Sequence, residues 1–266
     1  KYRYVCDACF QKCQLTNQKY IISMLSKTIT KRITSLHLKK FRQQEQLFIA
    51  EGIKVVSELL AAGYFAEYLF TTAGTKQQFS VATLIDEAEM KRISALADAS
   101  PVLAVFRIPK ATNFKLDEIT VVADGIRDPG NFGALIRLCD WFGVSQLLCA
   151  PDTVDLYNPK VVQASMGSMA RVRVTYQDIS NTIRTQPAPV YGAFMEGESV
   201  YNQVLETPCY LILGNEANGI RSETEESITK KISIPRYGKL QQTESLNVTT
   251  AAAIILAEMR RTTSGR

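Results

Sequence analysis

The sequence predicts an α/β protein whose second half is built on a parallel sheet. Short apolar strands alternate with amphipathic helices along most of the 266 residues, which is the pattern of βα units. Residues 209–213 are almost purely apolar, as expected for a strand buried on both faces of a sheet. A polar, lysine-containing passage at 109–116 is the best linker candidate. We therefore expect a leader at 1–23, a small α/β domain at 24–110 and a larger one at 115–266.

In the first half, apolar spacing and a helix-ending glycine define the elements. The expected order is helix, strand, helix, strand, helix and strand, over residues 30–44, 47–50, 51–62, 68–71, 86–96 and 102–106. The first helix is basic and amphipathic. On the second helix, Ile53, Val56 and Leu60 share one face, and Gly63 is placed to end it.

In the second half, strands again alternate with helices. Strands are expected over 119–123, 146–149, 171–175, 190–193, 209–213 and 232–234. Helices are expected over 131–142 and 159–169 and after the polar residues at 245–247. The helix at 131–142 carries an apolar face made of Phe132, Leu135, Ile136 and Cys139. These elements complete the prediction of a second α/β domain.

Positive charge is concentrated in the first half of the chain. Residues 1–110 carry 16 Lys+Arg against 9 Asp+Glu, a balance of +7, whereas residues 111–266 carry 15 against 17, a balance of −2. No acidic residue lies between Asp7 and Glu45. Such a stripe favours a polyanion such as RNA, although a solvated helix face is the alternative interpretation. The residues that we assign to RNA contact are Lys31, Arg32, Lys39, Lys40 and Arg42.

The cysteines indicate a reducing compartment and give little support to a metal site. Cys139, Cys149 and Cys209 lie in apolar segments, which fits buried reduced thiols in a cytoplasmic protein. Cys6, Cys9 and Cys13 form a CxxCxxxC pattern, but a structural zinc site takes four ligands. We therefore expect no metal. No apolar run is long enough to span a membrane, and no signal peptide is expected.

Three polar clusters follow predicted strands of the second half. They lie at 124–131, at 214–216 and at 245–247, the last at the start of a helix. Ligands collect at the carboxyl ends of strands in open parallel sheets, and a helix N-terminus offers unpaired N–H groups. We expect the three clusters to form one site.

Arg137 has two interpretations at this stage. On its helix it shares a stripe with Gly133 and Asp140, away from the apolar face. It could form a surface pair with Asp140 at i,i+3, which is worth only a few tenths of a kcal/mol. Alternatively, its guanidinium lies over a cleft that the missing side chain of Gly133 opens.

Three segments resemble, in order and spacing, the motifs of the SpoU ribose methyltransferases, which belong to the SPOUT superfamily. They are DPGNFGALIRLCDWFG (128–143), LILGNEANGI (211–220) and IPRYGKLQQTESLNVTTAAA (234–253). The segment NPKVVQASMGSMARVRV (158–174) is similar to the region between the first two motifs. The resemblance covers about residues 115–262. Residues 24–108 resemble the substrate-binding domain often found ahead of it, a small α/β sandwich similar to an RNA-binding ribosomal protein.

The resemblance implies a C-terminal trefoil knot, S-adenosylmethionine (SAM) as cofactor and a homodimer formed through the knot domain. The reaction it implies is methyl transfer to a ribose 2′-hydroxyl of structured RNA, more readily ribosomal RNA than tRNA. A tRNA enzyme, an inactive RNA-binding relative and a base methyltransferase are the alternatives. The residues matching the family's catalytic positions are Asn131, Arg137, Glu216, Ser245 and Asn247. Those expected to hold the donor are Leu213, Gly214, Asn215, Ile234, Ser245 and Leu246.

Because arginine titrates above pH 12, it is a poor proton acceptor. We therefore expect Arg137 to hold a phosphate and stabilise the developing alkoxide. Water or that phosphate would accept the proton. Glu216 and Asn131 are expected to order the loops of the site, and Ser245 and Asn247 to position the ribose or the donor.

Overall fold

The computed structural model describes residues 25–110, 113–238, 240 and 245–263, which form two compact units. Within these residues, the first unit runs to Lys110 and also contains Tyr157–Ala170, and the second unit contains the rest. The predicted leader, including Cys6, Cys9 and Cys13, lies outside the described residues. None of the helices in the described part of the chain has the length and apolar character needed to cross a lipid bilayer.

The first unit is a four-stranded sheet with helices on both faces. Its strands are β1 (Leu47–Glu51), β2 (Ala66–Thr71), β3 (Thr83–Leu84) and β4 (Val102–Arg107). They are ordered β1-β4-β2-β3, and β4 pairs antiparallel with both of its neighbours. The helices are α1 (Lys27–Ser35), α2 (Lys39–Glu45), α3 (Ile53–Ala61) and α4 (Glu87–Ile93). The predicted small α/β domain is therefore present.

Apolar side chains bury both faces of this sheet. Ile33, Met90 and Ile93, from α1 and α4, pack with strand residues in one core cluster. On the other face, the rings of Phe48 and Phe106 lie 5.7 Å apart. The helix α3 buries Val55, Val56 and Leu59. Of the three residues predicted to share one face, Ile53, Val56 and Leu60, only Val56 is fully buried.

The segment Tyr157–Ala170 joins the first unit through two close contacts. The ring of Tyr157 lies 4.8 Å from that of Phe48, measured between centroids. At Gly167, which has a φ of 92°, an added Cβ would lie 2.7 Å from the Cβ of Glu58, so only glycine fits this approach. The predicted helix over 159–169 is shorter: α6 (Pro159–Ser165) ends before Gly167 and a 3₁₀ turn, Ser168–Ala170, follows.

The predicted basic helix over 30–44 is two helices rather than one. The helix α1 ends at Ser35 and α2 begins at Lys39. Arg42 is only 2% exposed, and its Nη1 donates to the carbonyl oxygens of Leu36 and His37 at 2.8 and 2.9 Å. The guanidinium thus satisfies carbonyl groups at the end of α1 that have no helical partner. A continuous helix would have used those carbonyl groups itself.

The second unit is a six-stranded sheet in which every pair of neighbours is parallel. Its strands are β5 (Ile119–Asp124), β6 (Gln146–Cys149), β7 (Arg173–Tyr176), β8 (Val190–Ser199), β9 (Cys209–Gly214) and β10 (Lys230–Ser233). Their order is β10-β8-β9-β5-β6-β7. The prediction that residues 209–213 form a central buried strand is confirmed, because β9 lies between β8 and β5 and its first five residues are buried.

The helices of this unit are α5 (Pro129–Trp141), α7 (Ile179–Thr185), α8 (Ser222–Glu225) and α9 (Val248–Thr263). The predicted buried face of α5 is confirmed, since Phe132, Leu135, Ile136 and Cys139 are all fully buried. The helices α9 and α5 pack against each other. Two helices that begin in different sequence motifs are thereby brought side by side.

Candidate active site

The carboxyl ends of β5 and β9 and the N-termini of α5 and α9 meet at one edge of the second unit. The strands β5 and β9 are neighbours and pair in register to Asp124 and Gly214. The chain leaves β5 and enters α5 within a few residues. The helix begins there because Asp128 caps it by accepting from the backbone N–H of Asn131 at 2.7 Å. These connections gather the three predicted polar clusters.

A chain of two side-chain hydrogen bonds joins those clusters. Asn247 Nδ2 donates to Asn131 Oδ1 at 2.9 Å, and Asn131 Nδ2 donates to Glu216 Oε1 at 2.9 Å. Asn131 is therefore the central link, with its acceptor and its donor both used. The structure thus brings together three of the five side chains predicted to be catalytic.

The same Asn247 side chain also begins α9. Its Oδ1 accepts from the backbone N–H of Thr249 at 2.9 Å, which satisfies one of the unpaired N–H groups of the first turn. The amide is therefore fixed in one orientation, with its NH₂ group left to meet Asn131. Asn247 therefore both caps α9 and connects that helix to Asn131.

Arg137 stands apart from this network. It is exposed on α5 and forms no hydrogen bond or ion pair with any described residue. The interpretation that Arg137 forms a surface pair with Asp140 is wrong, because Arg171 binds the Asp140 carboxylate at 2.8 Å. Gly133 is buried, and the cleft expected beside it stays a prediction. The guanidinium of Arg137 remains available to an anion.

The loop after β9 is closed tightly on itself. Asn215 and Gly219 exchange two backbone hydrogen bonds of 2.9 Å, and the side chain of Asn215 donates to the carbonyl oxygen of Gly125 at 2.6 Å. A Cβ at Gly214 would lie 2.3 Å from the carbonyl carbon of Gly219, so no larger residue fits there. The loop holds Glu216 at its exposed tip.

A buried carboxylate from the polar cluster at 124–131 anchors this loop through a pairing that sequence reasoning missed. Asp124, only 1% exposed, accepts from the backbone N–H of Arg221 at 2.9 Å and from its Nε at 2.7 Å. These hydrogen bonds raise the pKa of the Arg221 guanidinium. Arg221 also contacts Asp152 at 3.4 Å. A strand-end aspartate and an arginine following the loop were the available signals, but their pairing spans 97 positions.

The residues predicted to hold the donor offer main-chain groups and one apolar side chain. The side chain of Leu213 is buried in β9, and Asn215 forms the hydrogen bonds that close the loop after this strand. In contrast, the backbones of Ile234 and Leu246 form no hydrogen bond with a described residue. Leu246 is 48% exposed, and Ser245 is also exposed. The donor site expected at these residues stays a prediction.

The predicted basic stripe is only partly free. The prediction that Arg42 contacts RNA is wrong, because its side chain is buried and caps α1. Arg32 is half-buried and donates to Glu45 at 2.8 and 3.0 Å, and this carboxylate raises the pKa of its guanidinium. Lys31, Lys39 and Lys40 are exposed and remain available to phosphates.

The described cysteines are not nucleophiles. Burial raises the pKa of Cys139 and Cys209 to about 12 and that of Cys149 well above its ordinary value. A thiol in such surroundings stays protonated at neutral pH and is unreactive. Among the described residues, no group of three or more His, Cys, Asp or Glu is arranged to hold a metal ion.

Two family comparisons match almost the whole described chain. Residues 118–257 match the SpoU rRNA Methylase family, and residues 27–104 match the MRM3-like substrate binding domain. The first match covers more than half of the 266 residues. It includes all five side chains predicted to be catalytic.

Similar proteins of known structure or name agree with these matches. A protein of the TrmH family of RNA methyltransferases from Porphyromonas gingivalis has 38% sequence identity, a TM-score of 0.81 and coverage of 90% of this chain and 99% of its own. An AdoMet-bound rRNA methyltransferase from Sinorhizobium meliloti has 26% identity, a TM-score of 0.79 and coverage of 91% and 97%. A 23S rRNA (guanosine(2553)-2′-O)-methyltransferase from Bacillus subtilis is 25% identical over 234 residues, 85% of this chain and 93% of its own length.

Proposed function

The chain belongs to the SpoU rRNA Methylase family, and on that basis we propose that it methylates a ribose 2′-hydroxyl of 23S-type ribosomal RNA, using SAM. Relatives with this activity in their names span most of the chain. The observation that carries the proposal is the hydrogen-bonded chain from Asn247 through Asn131 to Glu216. It draws three distant motifs into one polar edge, which is what a site for two ligands requires.

Arg137 is proposed to act on the RNA backbone rather than as a base. Its guanidinium is exposed and has no partner among the described residues, so a phosphate can take both of its donor edges. In that position the positive charge would also stabilise an oxyanion forming on the ribose. The proton then passes to water or to the phosphate, since arginine does not accept one from a hydroxyl.

The donor is proposed to lie against Gly214, Ile234, Ser245 and Leu246. When bound, SAM supplies an electrophilic methyl group on a sulfonium. The chain's own contribution is to hold it by main-chain groups and by the exposed apolar surface of Leu246. Asn131 and Glu216 keep the loops in position, and Ser245 and Asn247 orient the ribose or the donor.

We further propose a homodimer that assembles through the second unit and works in the cytoplasm. Trp141 supports a partner on this unit, because it is 83% exposed and lies one helical turn after Arg137 on α5. Tryptophan is enriched at protein–protein interfaces relative to the rest of the surface. Light scattering coupled to size-exclusion chromatography should give twice the mass of one chain, and Trp141→Ala should shift it toward the monomer.

The test of the reaction is direct product analysis. Purified protein is incubated with methyl-labelled SAM and either 23S-type rRNA or tRNA, and the RNA is digested to nucleosides. We expect the label on the sugar of an rRNA nucleoside. Label on tRNA alone would move the substrate assignment, label on a base ring would contradict 2′-O transfer, and no label with intact RNA binding would indicate an inactive relative.

A further inference from the structure

A polar hollow in the first unit, remote in sequence from the catalytic motifs, has the features of a nucleobase site. Its volume is about 270 Å³, and its lining includes Arg32, Glu45, Gln46, Glu67 and Arg107. That volume lies just below the range for pockets that hold drug-sized ligands, about 300–1,000 Å³. It suits a single ring system rather than an extended ligand.

The guanidinium of Arg107 contacts a carboxylate and an aromatic ring at the wall of this hollow. Its Nε and Nη2 both donate to Glu67 Oε2, at 2.9 and 2.7 Å. Its Cζ lies 4.4 Å from the centre of the Phe65 ring, which is itself 58% exposed. A cation stacked on an aromatic face and fixed by a carboxylate is preorganised for a ligand.

Hydrogen-bonding groups on the lining are left unused. Both donors of Arg107 to Glu67 use Oε2, and both donors of Arg32 to Glu45 use Oε2 as well. Within the described residues, Oε1 of each glutamate and Nη1 of Arg107 therefore have no partner. The hollow thus offers two anionic acceptors and one cationic donor, together with the amide oxygen of Gln46, which also has no described partner.

The charges on the lining select the class of ligand. Two arginines and two glutamates give a formal charge of zero, so the lining favours an uncharged ligand over a phosphate or a cation. A neutral base with two adjacent donors and one acceptor is the complement of the unused groups. Among the four RNA bases only guanine has this pattern on its Watson–Crick edge, with N1–H and the 2-amino group beside O6.

We propose that this hollow binds an unstacked guanine of the RNA substrate, away from the nucleotide that is methylated. The free carboxylate oxygens accept from N1–H and the 2-amino group, and Arg107 Nη1 donates to O6. Phe65 is a positioning residue that keeps the guanidinium in place. The inference rests on the proposed function, because it takes RNA as the substrate.

The test uses short single strands that differ by one base. Fluorescein-labelled octamers of uridine carry guanosine, inosine or adenosine at one central position, and binding is followed by fluorescence anisotropy. Inosine lacks only the 2-amino group of guanosine. We expect the parent protein to bind the guanosine octamer about tenfold more tightly than the other two, the discrimination typical of one specific base contact.

Variants locate that preference in the hollow. Glu67→Gln should remove most of the guanosine preference and change binding of plain oligouridine no more than the charge-matched Glu87→Gln does, and Phe65→Ala should weaken only the guanosine octamer. Glu87→Gln is the matched control, since this exposed glutamate of α4 lies in the same unit outside the hollow. Circular dichroism checks that all variants fold.

Equal affinity for the three octamers, no measurable affinity for any, or a preference that survives Glu67→Gln would overturn the inference. Methyl transfer to 23S-type rRNA, measured in parallel, separates the two proposals. If the parent protein methylates rRNA but shows no guanosine preference, only the proposal of a guanine site is refuted. If it prefers guanosine but transfers no methyl group, only the proposed reaction is refuted.

Discussion

The link between Asn131 and Glu216 allows a test in which a second substitution restores what the first removes. In Asn131→Asp, the amide that donates to Glu216 becomes a carboxylate, and two carboxylates then face each other at 2.9 Å. The Asn247 donor keeps its acceptor in this variant. When Asn131→Asp is combined with Glu216→Gln, the amide and the carboxylate have exchanged places. The introduced glutamine can then donate to the introduced aspartate, and the net charge is unchanged.

The size of the effect follows from the contacts. A hydrogen bond to a charged group contributes about 1.5–3 kcal/mol, and the like-charge contact adds about 1 kcal/mol at this partly exposed position. We therefore expect Asn131→Asp to lower kcat/KM by about 3 kcal/mol, or roughly two orders of magnitude. Glu216→Gln alone keeps an acceptor oxygen for Asn131, so it should cost about fivefold.

The assay is the initial rate of methyl transfer to 23S-type rRNA for the parent, both single variants and the double variant. The double variant should recover at least about tenfold over Asn131→Asp, a coupling within the range for residues in one network. Thermal melting controls for folding. A double variant whose loss equals the two single losses combined would refute the reasoning, because it would show that the two side chains do not act through each other.

Other predictions address the arginine, the basic stripe and a buried acid. Arg137→Ala should lower kcat by two to three orders of magnitude, about 3–4 kcal/mol, with unchanged SAM binding by calorimetry; near-parental rates would remove Arg137 from the mechanism. Replacing Lys31, Lys39 and Lys40 by glutamine should weaken RNA binding and flatten its dependence on salt concentration. An unaltered salt dependence would show that these lysines do not contact RNA phosphates. Burial raises the pKa of Glu51, against the opposing hydrogen bonds that it accepts. Its contribution to stability is therefore full below the unfolded pKa and is lost as pH rises through the folded pKa. Relative to Glu51→Gln, the parent should gain free energy of unfolding as pH falls toward about 4 in denaturant titrations; a difference independent of pH would contradict this.

The sequence by itself determined the elements and the candidate groups. The apolar run at 209–213 predicted a central strand, and the spacing of Phe132, Leu135, Ile136 and Cys139 predicted the buried face of α5. Both were correct because burial in a regular strand or helix repeats at fixed local intervals. The alternation of short strands and helices likewise predicted an α/β fold with a parallel sheet.

Only the tertiary structure decided which polar groups meet. Asn131 reaches Glu216 and Asn247 across 85 and 116 positions of sequence, and Arg42 turns inward to cap α1 although nearby Lys39 and Lys40 are exposed. The repeat of buried positions along a helix or strand depends only on the local backbone geometry. The hydrogen-bond partner of a side chain depends instead on which distant segments of the chain pack beside it. The elements could therefore be read locally, but the pairs had to be seen in three dimensions.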